Sequence, residues 1–280
     1  LAGLLTGPVN RLIGYDVRDP SFTQFNRGAA LYELGRVDEA VAAWQRGLAA
    51  VPGNAAGRVQ LADMLVRRER FAEAAELYAE AARLRPAEAE LHAKLGQARL
   101  RAGQPAAAAT ALARAVELDG DRVTYLTLLA DARRAAGEFP AARALYERAL
   151  ARLPDDHAVR RAHAEVLIRL EDWPAALAEC TALAAALPDD TSAHYRLGSV
   201  RAQLGDLAGA RVAFERTLAL TPGHGAACYN LGVIALREER LDHAAEWFRQ
   251  ALAANPDDAA ARQALQRVEQ LIGARQRGAP

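Results

Sequence analysis

Cysteine is nearly absent: 280 residues contain two, Cys180 and Cys228. Two thiols make no disulfide framework, and both read as small apolar space-fillers. Lysine is scarcer still. Of 35 basic residues only Lys94 is lysine, and the arginine and alanine excess reads as the mark of a GC-rich bacterial genome. Aromatic residues make up 6% of the chain, and strand-forming Val, Ile and Thr are sparse beside abundant Ala, a bias toward helix. Neither sign of charge is in excess, with 35 basic against 35 acidic residues, so no overall field draws the chain to nucleic acid or to an acidic membrane surface. No run approaches the roughly 20 apolar residues that a spanning helix requires. Catalytic signatures are missing as well: there is no HExxH, no CxxC, no GxGxxG on a strand, no P-loop and no GxSxG. The sequence therefore predicts neither an enzyme nor a cofactor.

What the chain has is self-similarity. Pro52, Pro86, Pro154, Pro188, Pro222 and Pro256 fall on one 34-residue grid, with Gly120 in the remaining place. Setting that anchor at position 32 divides the chain into seven gapless units: 21–54, 55–88, 89–122, 123–156, 157–190, 191–224 and 225–258. Position 20 is then Ala40, Ala74, Ala108, Ala142, Ala176, Ala210 and Ala244 without exception. Position 8 is always small: Gly28, Ala62, Gly96, Ala130, Ala164, Gly198, Gly232. Position 24 is mostly large: Trp44, Tyr78, Leu112, Tyr146, Cys180, Phe214, Phe248. Chance does not place seven alanines in one column.

Each unit reads as two amphipathic helices. In the sixth, Tyr195, Leu197, Gly198, Arg201 and Leu204 share one helix and Gly205-Asp206 punctuate a turn. Leu207, Ala210, Phe214, Thr217 and Leu218 return at helical spacing, and Thr221-Pro222-Gly223 stop the second helix. Small residues at positions 8 and 20 let the two backbones approach, and the position 24 side chain fills the space beside them. One such hairpin cannot bury its apolar face, so neighbours must stack into a continuous core.

This pattern resembles the tetratricopeptide repeat: 34 residues, helix-turn-helix, with Leu-Gly at positions 7 and 8, Ala at 20, an aromatic at 24, Ala at 27 and Pro at 32. Leu61, Leu95, Leu129, Leu197 and Leu231 supply the position 7 leucine. Arg27 and His163 depart from it, and Leu183 and Thr217 depart from the position 27 alanine, which makes the fifth unit the least regular. The resemblance implies an all-α, right-handed superhelical solenoid over residues 21–258.

At the C-terminal end, Ala261, Leu265, Val268, Leu271 and Ile272 form one stripe, so 259–273 is expected to be a capping helix with a polar outer face. A membrane-surface helix would need more bulk on that stripe. Residues 274–280 are expected to be a disordered tail. The stretch 1–20, broken at Gly7-Pro8, reads either as a segment covering the first unit or as the stub of an upstream anchor or domain. Because the sequence opens on Leu1 and not Met, an upstream signal or anchor stays open, and with it the choice between bacterial cytoplasm and periplasm.

The histidines follow the grid. His92 and His194 stand at position 4 and read as packing residues, while His224 lies in an inter-unit turn. His157 and His163 could share a metal, but two ligands without a third are a weak site. Asp155-Asp156, Asp189-Asp190 and Asp257-Asp258 recur after the position 32 proline, as turn and helix-cap chemistry does.

Surface is what remains. The resemblance implies that the first helix of each unit lines a concave groove through positions 2, 5, 6, 9, 12 and 13, and in this chain those columns vary while the packing columns do not. The two-carboxylate clamp of chaperone-binding relatives is not expected, since position 5 never carries Lys and position 9 never carries Asn. Tyr and Arg, favoured at interface centres, gather in units 5–7: Arg161, Arg169, Tyr195, Arg196, Tyr229 and Arg237, with Asn230 available for backbone amides. A second, apolar cluster of Phe22, Phe25 and Tyr32 stands at the N-terminal mouth. The expected function is a non-enzymatic scaffold that holds a peptide or helix of a protein partner, with some acidic residues, and the monomer is the expected state. The alternative is a regulatory or targeting portion of a larger enzyme or membrane assembly whose active part lies upstream. No nucleic acid and no direct membrane contact is expected for this segment.

Overall fold

The computed structural model describes residues 20–120 and 122–277, with side chains from residue 23 onward. The stretch 1–20, apart from the backbone of Pro20, and residues 278–280 of the tail lie outside the described residues. Among those described, the secondary structure is entirely helical, and the chain is an all-α helical-repeat solenoid. It divides into two compact units, Leu1–Arg152 and Leu153–Pro280.

In the N-terminal unit the helices are α1 (Pro20–Glu33), α2 (Val37–Ala50), α3 (Ala55–Arg67), α4 (Phe71–Leu84), α5 (Ala89–Arg101), α6 (Pro105–Leu118), α7 (Val123–Ala135) and α8 (Phe139–Arg152). The C-terminal unit holds α9 (His157–Arg169), α10 (Trp173–Ala186), α11 (Thr191–Gln203), α12 (Leu207–Leu220), α13 (Gly225–Arg237), α14 (Leu241–Ala254) and α15 (Ala259–Arg277). Within each unit, consecutive helices pack on one another.

The column logic is visible atom by atom. All seven position 20 alanines have 0% of their surface exposed. A Cβ added to Gly28, Gly198 or Gly232 would come within 2.7 Å of the ring of Trp44, Phe214 or Phe248, and one on Gly96 would collide with Leu112. Position 8 is small because the position 24 side chain of the same helix pair lies directly over it. Of the four departures, His163, Leu183 and Thr217 keep buried places, whereas Arg27 is exposed. Thr217 replaces an alanine and donates its hydroxyl to the Ala213 carbonyl at 2.9 Å, which removes the cost of burying an unpaired hydroxyl. His163 replaces a leucine and is likewise buried, with Nδ1 3.2 Å from Glu179 Oε1. Burial would raise the Glu179 carboxyl, but the hydrogen bond with His163 and the nearby Arg160 guanidinium hold it below the ordinary carboxylate range.

Helix starts are capped as the paired aspartates predict. Asp156 accepts from the backbone N–H of Ala158 and Val159, Asp190 from Ser192 and Ala193, and Asp258 from Ala260 and Ala261. His224 takes the same role for α13, its Nδ1 accepting from Ala227 N at 3.2 Å.

The last helix differs from the reading of its sequence. It runs on to Arg277, four residues past the 273 boundary, because Arg275 and Arg277 complement the negative end of its dipole. Val268 and Ala261 are buried against α14 and α13, with Leu265 and Ile272 packed beside them. Leu271 is 37% exposed and leaves the stripe.

Candidate functional site

The seven residues singled out in the sequence stand on α9, α11 and α13 of the C-terminal unit, and they do not form one cluster. Tyr195 and Asn230 do come together, on neighbouring first helices, with Asn230 Nδ2 3.4 Å from the Tyr195 hydroxyl. The Tyr195 ring lies between Phe214, centroids 5.8 Å apart, and His224 at 4.8 Å. Tyr229 repeats the arrangement against Phe248 at 5.6 Å. Both tyrosines are half-buried, so each is partly a packing residue. Arg161 is engaged already: it donates to the Asp190 carboxylate that caps α11. Arg169 and Arg237 are exposed at the last turns of α9 and α13.

Arg196 is the exception. It is half-buried, its Nη1 is sealed from solvent without a hydrogen-bond acceptor, and no carboxylate among the described residues pairs with it. A guanidinium cannot shed its proton, and a buried donor left without an acceptor costs about 1–3 kcal/mol. Its neighbour is Cys180, whose thiol burial pushes up to about 11 against the opposing pull of the Arg196 charge.

The matching place in the N-terminal unit is filled differently. Lys94 stands where Arg196 does, at position 6, and its Nζ is 2.9 and 3.0 Å from the two oxygens of Asp63, which belongs to the preceding first helix. The Tyr78 hydroxyl, at position 24, donates to the same Asp63 and lies beneath Lys94. Tyr146 donates to Asp131 in the same way at 2.6 Å. Sequence reading missed these ties, although a signal was present. Tyrosine occupies position 24 only in the two units with Asp at position 9, fifteen residues earlier.

In the N-terminal cluster, Phe25 is no surface residue. It is buried, its carbonyl accepts from Trp44 Nε1 at 3.2 Å, and its ring occupies the space above Gly47 and Gly57. Tyr32 is half-buried against Trp44, with Arg67 over its ring at 5.8 Å. The side chain of Phe22 lies outside the described residues.

The repeating helix pairs, the alanine column and the glycine-over-aromatic contact meet an independent comparison. The sequence profile of the tetratricopeptide repeat matches residues 25–89, 93–157, 161–224 and 204–259. The chain belongs to the tetratricopeptide repeat family. Solved structures with this fold include YrrB, described as a tetratricopeptide repeat protein with an unusual peptide-binding site, at 23% identity, TM-score 0.61, over 69% of this chain and 99% of that one. MamA of Desulfovibrio magneticus aligns at 23% identity and TM-score 0.58, over 61% of this chain and 97% of its own. The C-terminal part of a repeat protein from Cytophaga hutchinsonii reaches TM-score 0.71 at 15% identity, over 86% and 99%. Identities this low establish the fold alone. No curated protein matches this sequence.

The tetratricopeptide register also explains position 4. His92 and His194 place Nε2 3.1 and 3.0 Å from the carbonyls of Pro86 and Pro188, and Arg160 and Arg262 donate to Pro154 and Pro256. The two histidines, read from the sequence as packing residues, thus latch the proline turn six residues back, as the two arginines do. Among the described residues no group of three His, Cys, Asp or Glu could hold a metal, and no helix is long and apolar enough to cross a membrane.

Proposed function

We propose that this tetratricopeptide chain is a non-enzymatic scaffold that holds a segment of a partner protein along the first helices of its C-terminal unit. In this reading residues 21–258 form seven repeats, and α15 closes the array. The observation that supports the site best is the side-by-side placement of Tyr195 and Asn230 on α11 and α13, with the Tyr195 ring braced by Phe214 and His224. Braced aromatic edges give contact area at little cost in side-chain entropy, and a carboxamide beside them can bond a peptide backbone. The division of labour is consistent with a scaffold: packing columns are fixed, while the columns on the open side of α9, α11 and α13 differ from unit to unit.

Since the tyrosine rings are part of the packing, truncating them would disturb the fold together with any site. The test therefore uses Asn230→Ala combined with Arg237→Glu, one half-buried and one exposed. Partners captured from the native host on wild-type protein are purified and titrated against both forms. The expected result is at least a tenfold loss of affinity, about 1.4 kcal/mol, with an unchanged melting temperature. Equal affinity of the two forms would place the partner on another face.

A further inference from the structure

We propose that His224 is a pH-sensitive switch, which caps α13 and braces Tyr195 while neutral and releases both when it takes up a proton. The argument comes from within the molecule. Position 34 ends each inter-repeat turn, and there Asn54, Asp156, Asp190 and Asp258 offer a side-chain oxygen to the first turn of the next helix. At the same place Glu88 and Arg122 make no side-chain cap. His224 caps through a nitrogen: its Nδ1 accepts from Ala227 N at 3.2 Å. A carboxylate or amide oxygen keeps its lone pairs from about pH 8 to about pH 5, whereas Nδ1 keeps its lone pair only while the imidazole is neutral, with the proton on Nε2. Protonation turns the acceptor into a second donor facing a backbone N–H, and it sets a cation at the positive end of the α13 dipole.

The other position of histidine in the repeat shows the contrast. His92 and His194 turn Nε2 to the carbonyls of Pro86 and Pro188. A carbonyl only accepts, so these rings donate, and they go on donating when charged. The groups around His224 offer an imidazolium little. From α11 the ring meets Tyr195, with centroids 4.8 Å apart, and Arg196 beside that tyrosine is itself positive. On α13 the next ionisable group is the buried thiol of Cys228. The last turns of α12 (218–221) and of α14 (251–254) carry no ionisable side chain. The carboxylates of the preceding turn, Asp189 and Asp190, are engaged by Arg216 and Arg161. Half-buried, His224 remains within reach of solvent protons. Tyr195 is held between this ring and Asn230 of α13, so the cap and the tyrosine loosen together.

The full chain, labelled at histidine and tyrosine, is followed by NMR from about pH 8 to about pH 5, where aspartate caps stay largely ionised. The His224 signal is assigned by its loss in His224→Asp, a variant that writes the cap of the neighbouring repeats into this turn. Nitrogen chemical shifts at the alkaline end should place the His224 proton on Nε2. On acidification the Ala227 amide should lose about fivefold in exchange protection, the effect of removing one helix cap. The Tyr195 ring signals should shift with the same midpoint as His224. In His224→Asp both the protection and the Tyr195 signals should stay constant. A proton on Nδ1 at the alkaline end, equal Ala227 protection across the range in wild type, or a Tyr195 shift that persists in His224→Asp would each overturn the switch. No partner enters these measurements, so their failure would leave the scaffold reading standing.

Discussion

In the N-terminal unit the column between paired helices ends twice in a phenol, Tyr78 and Tyr146, and each donates to an aspartate of the facing helix. In the C-terminal unit the same column reads Cys180, Phe214 and Phe248 and carries no hydroxyl. All five side chains are buried, so each serves as packing. As surface chemistry they are opposites. The phenols each engage an aspartate, whereas Cys180 leaves Arg196 without a carboxylate and the two phenylalanines pack on Tyr195 and Tyr229 through rings alone. A fold that repeats its core can therefore differentiate its units by the chemistry at the end of a core side chain.

The largest expected effect tests whether the packing really is common to both. Ala142→Leu in the N-terminal unit and Ala210→Leu in the C-terminal unit each insert bulk where no surface is exposed, and each should cost about 1–3 kcal/mol in urea denaturation. An unchanged midpoint for either would refute the assigned register. A cost confined to one unit would break the equivalence.

Alkaline titration sharpens the contrast with a smaller effect. Burial first, and then the hydrogen bond to Asp63 or Asp131, hold the Tyr78 and Tyr146 phenols above their ordinary value, roughly 10. A group whose pKa is raised on folding contributes stability below its unfolded pKa and loses it as pH rises through the folded one. The N-terminal unit should then weaken only above about pH 10. Cys180, raised by burial to about 11, should begin to weaken the C-terminal unit earlier, from the ordinary thiol value of roughly 8.5. Tyr78→Phe with Tyr146→Phe should cost about 1 kcal/mol per hydroxyl at neutral pH and abolish the first alkaline loss. Burial raises the Cys228 thiol of the same unit too, so Cys180→Ala should reduce the second loss and Cys180→Ala with Cys228→Ala should abolish it. Alkaline curves that these substitutions leave unaltered would sink the assignment.

Much of this was legible in the sequence. A fixed alanine at position 20 and a small residue at position 8 each report a close approach, which is a one-residue constraint that periodicity exposes. The capping aspartates were readable for the same reason, since a cap acts on its own next turn. What escaped were contacts between residues far apart in sequence. Tyr78 and Asp63 meet across a helix pair, and Phe25 turns inward over Gly47 and Gly57. Tyr195 and Tyr229 looked like free anchors because composition does not show that a ring already leans on its neighbour.

The smallest effect concerns the turns. Position 15 is Gly35, Gly103, Gly137 and Gly205 in four units, with φ from 74° to 81°, and Glu69, Glu171 and Glu239 in three, with φ from 56° to 60°. A left-handed backbone costs a residue bearing Cβ roughly 1–2 kcal/mol, while glycine forfeits about 0.5–1 kcal/mol of chain entropy on folding. The difference favours glycine narrowly. None of the three glutamates makes a side-chain hydrogen bond or ion pair among the described residues, and all three are exposed, so no contact opposes the change. Each Glu→Gly substitution should stabilise by about 0.5 kcal/mol. Glu69→Gly acts in the N-terminal unit, whereas Glu171→Gly and Glu239→Gly act in the C-terminal one. Their effects on the C-terminal transition should add, because the two turns share no partner. Chemical denaturation with a probe in each unit reads this directly. Destabilisation by all three would mean that chain entropy outweighs backbone strain at this turn, and a gain from Glu171→Gly alone would place the strain in the fifth unit, the one whose columns depart furthest from the repeat.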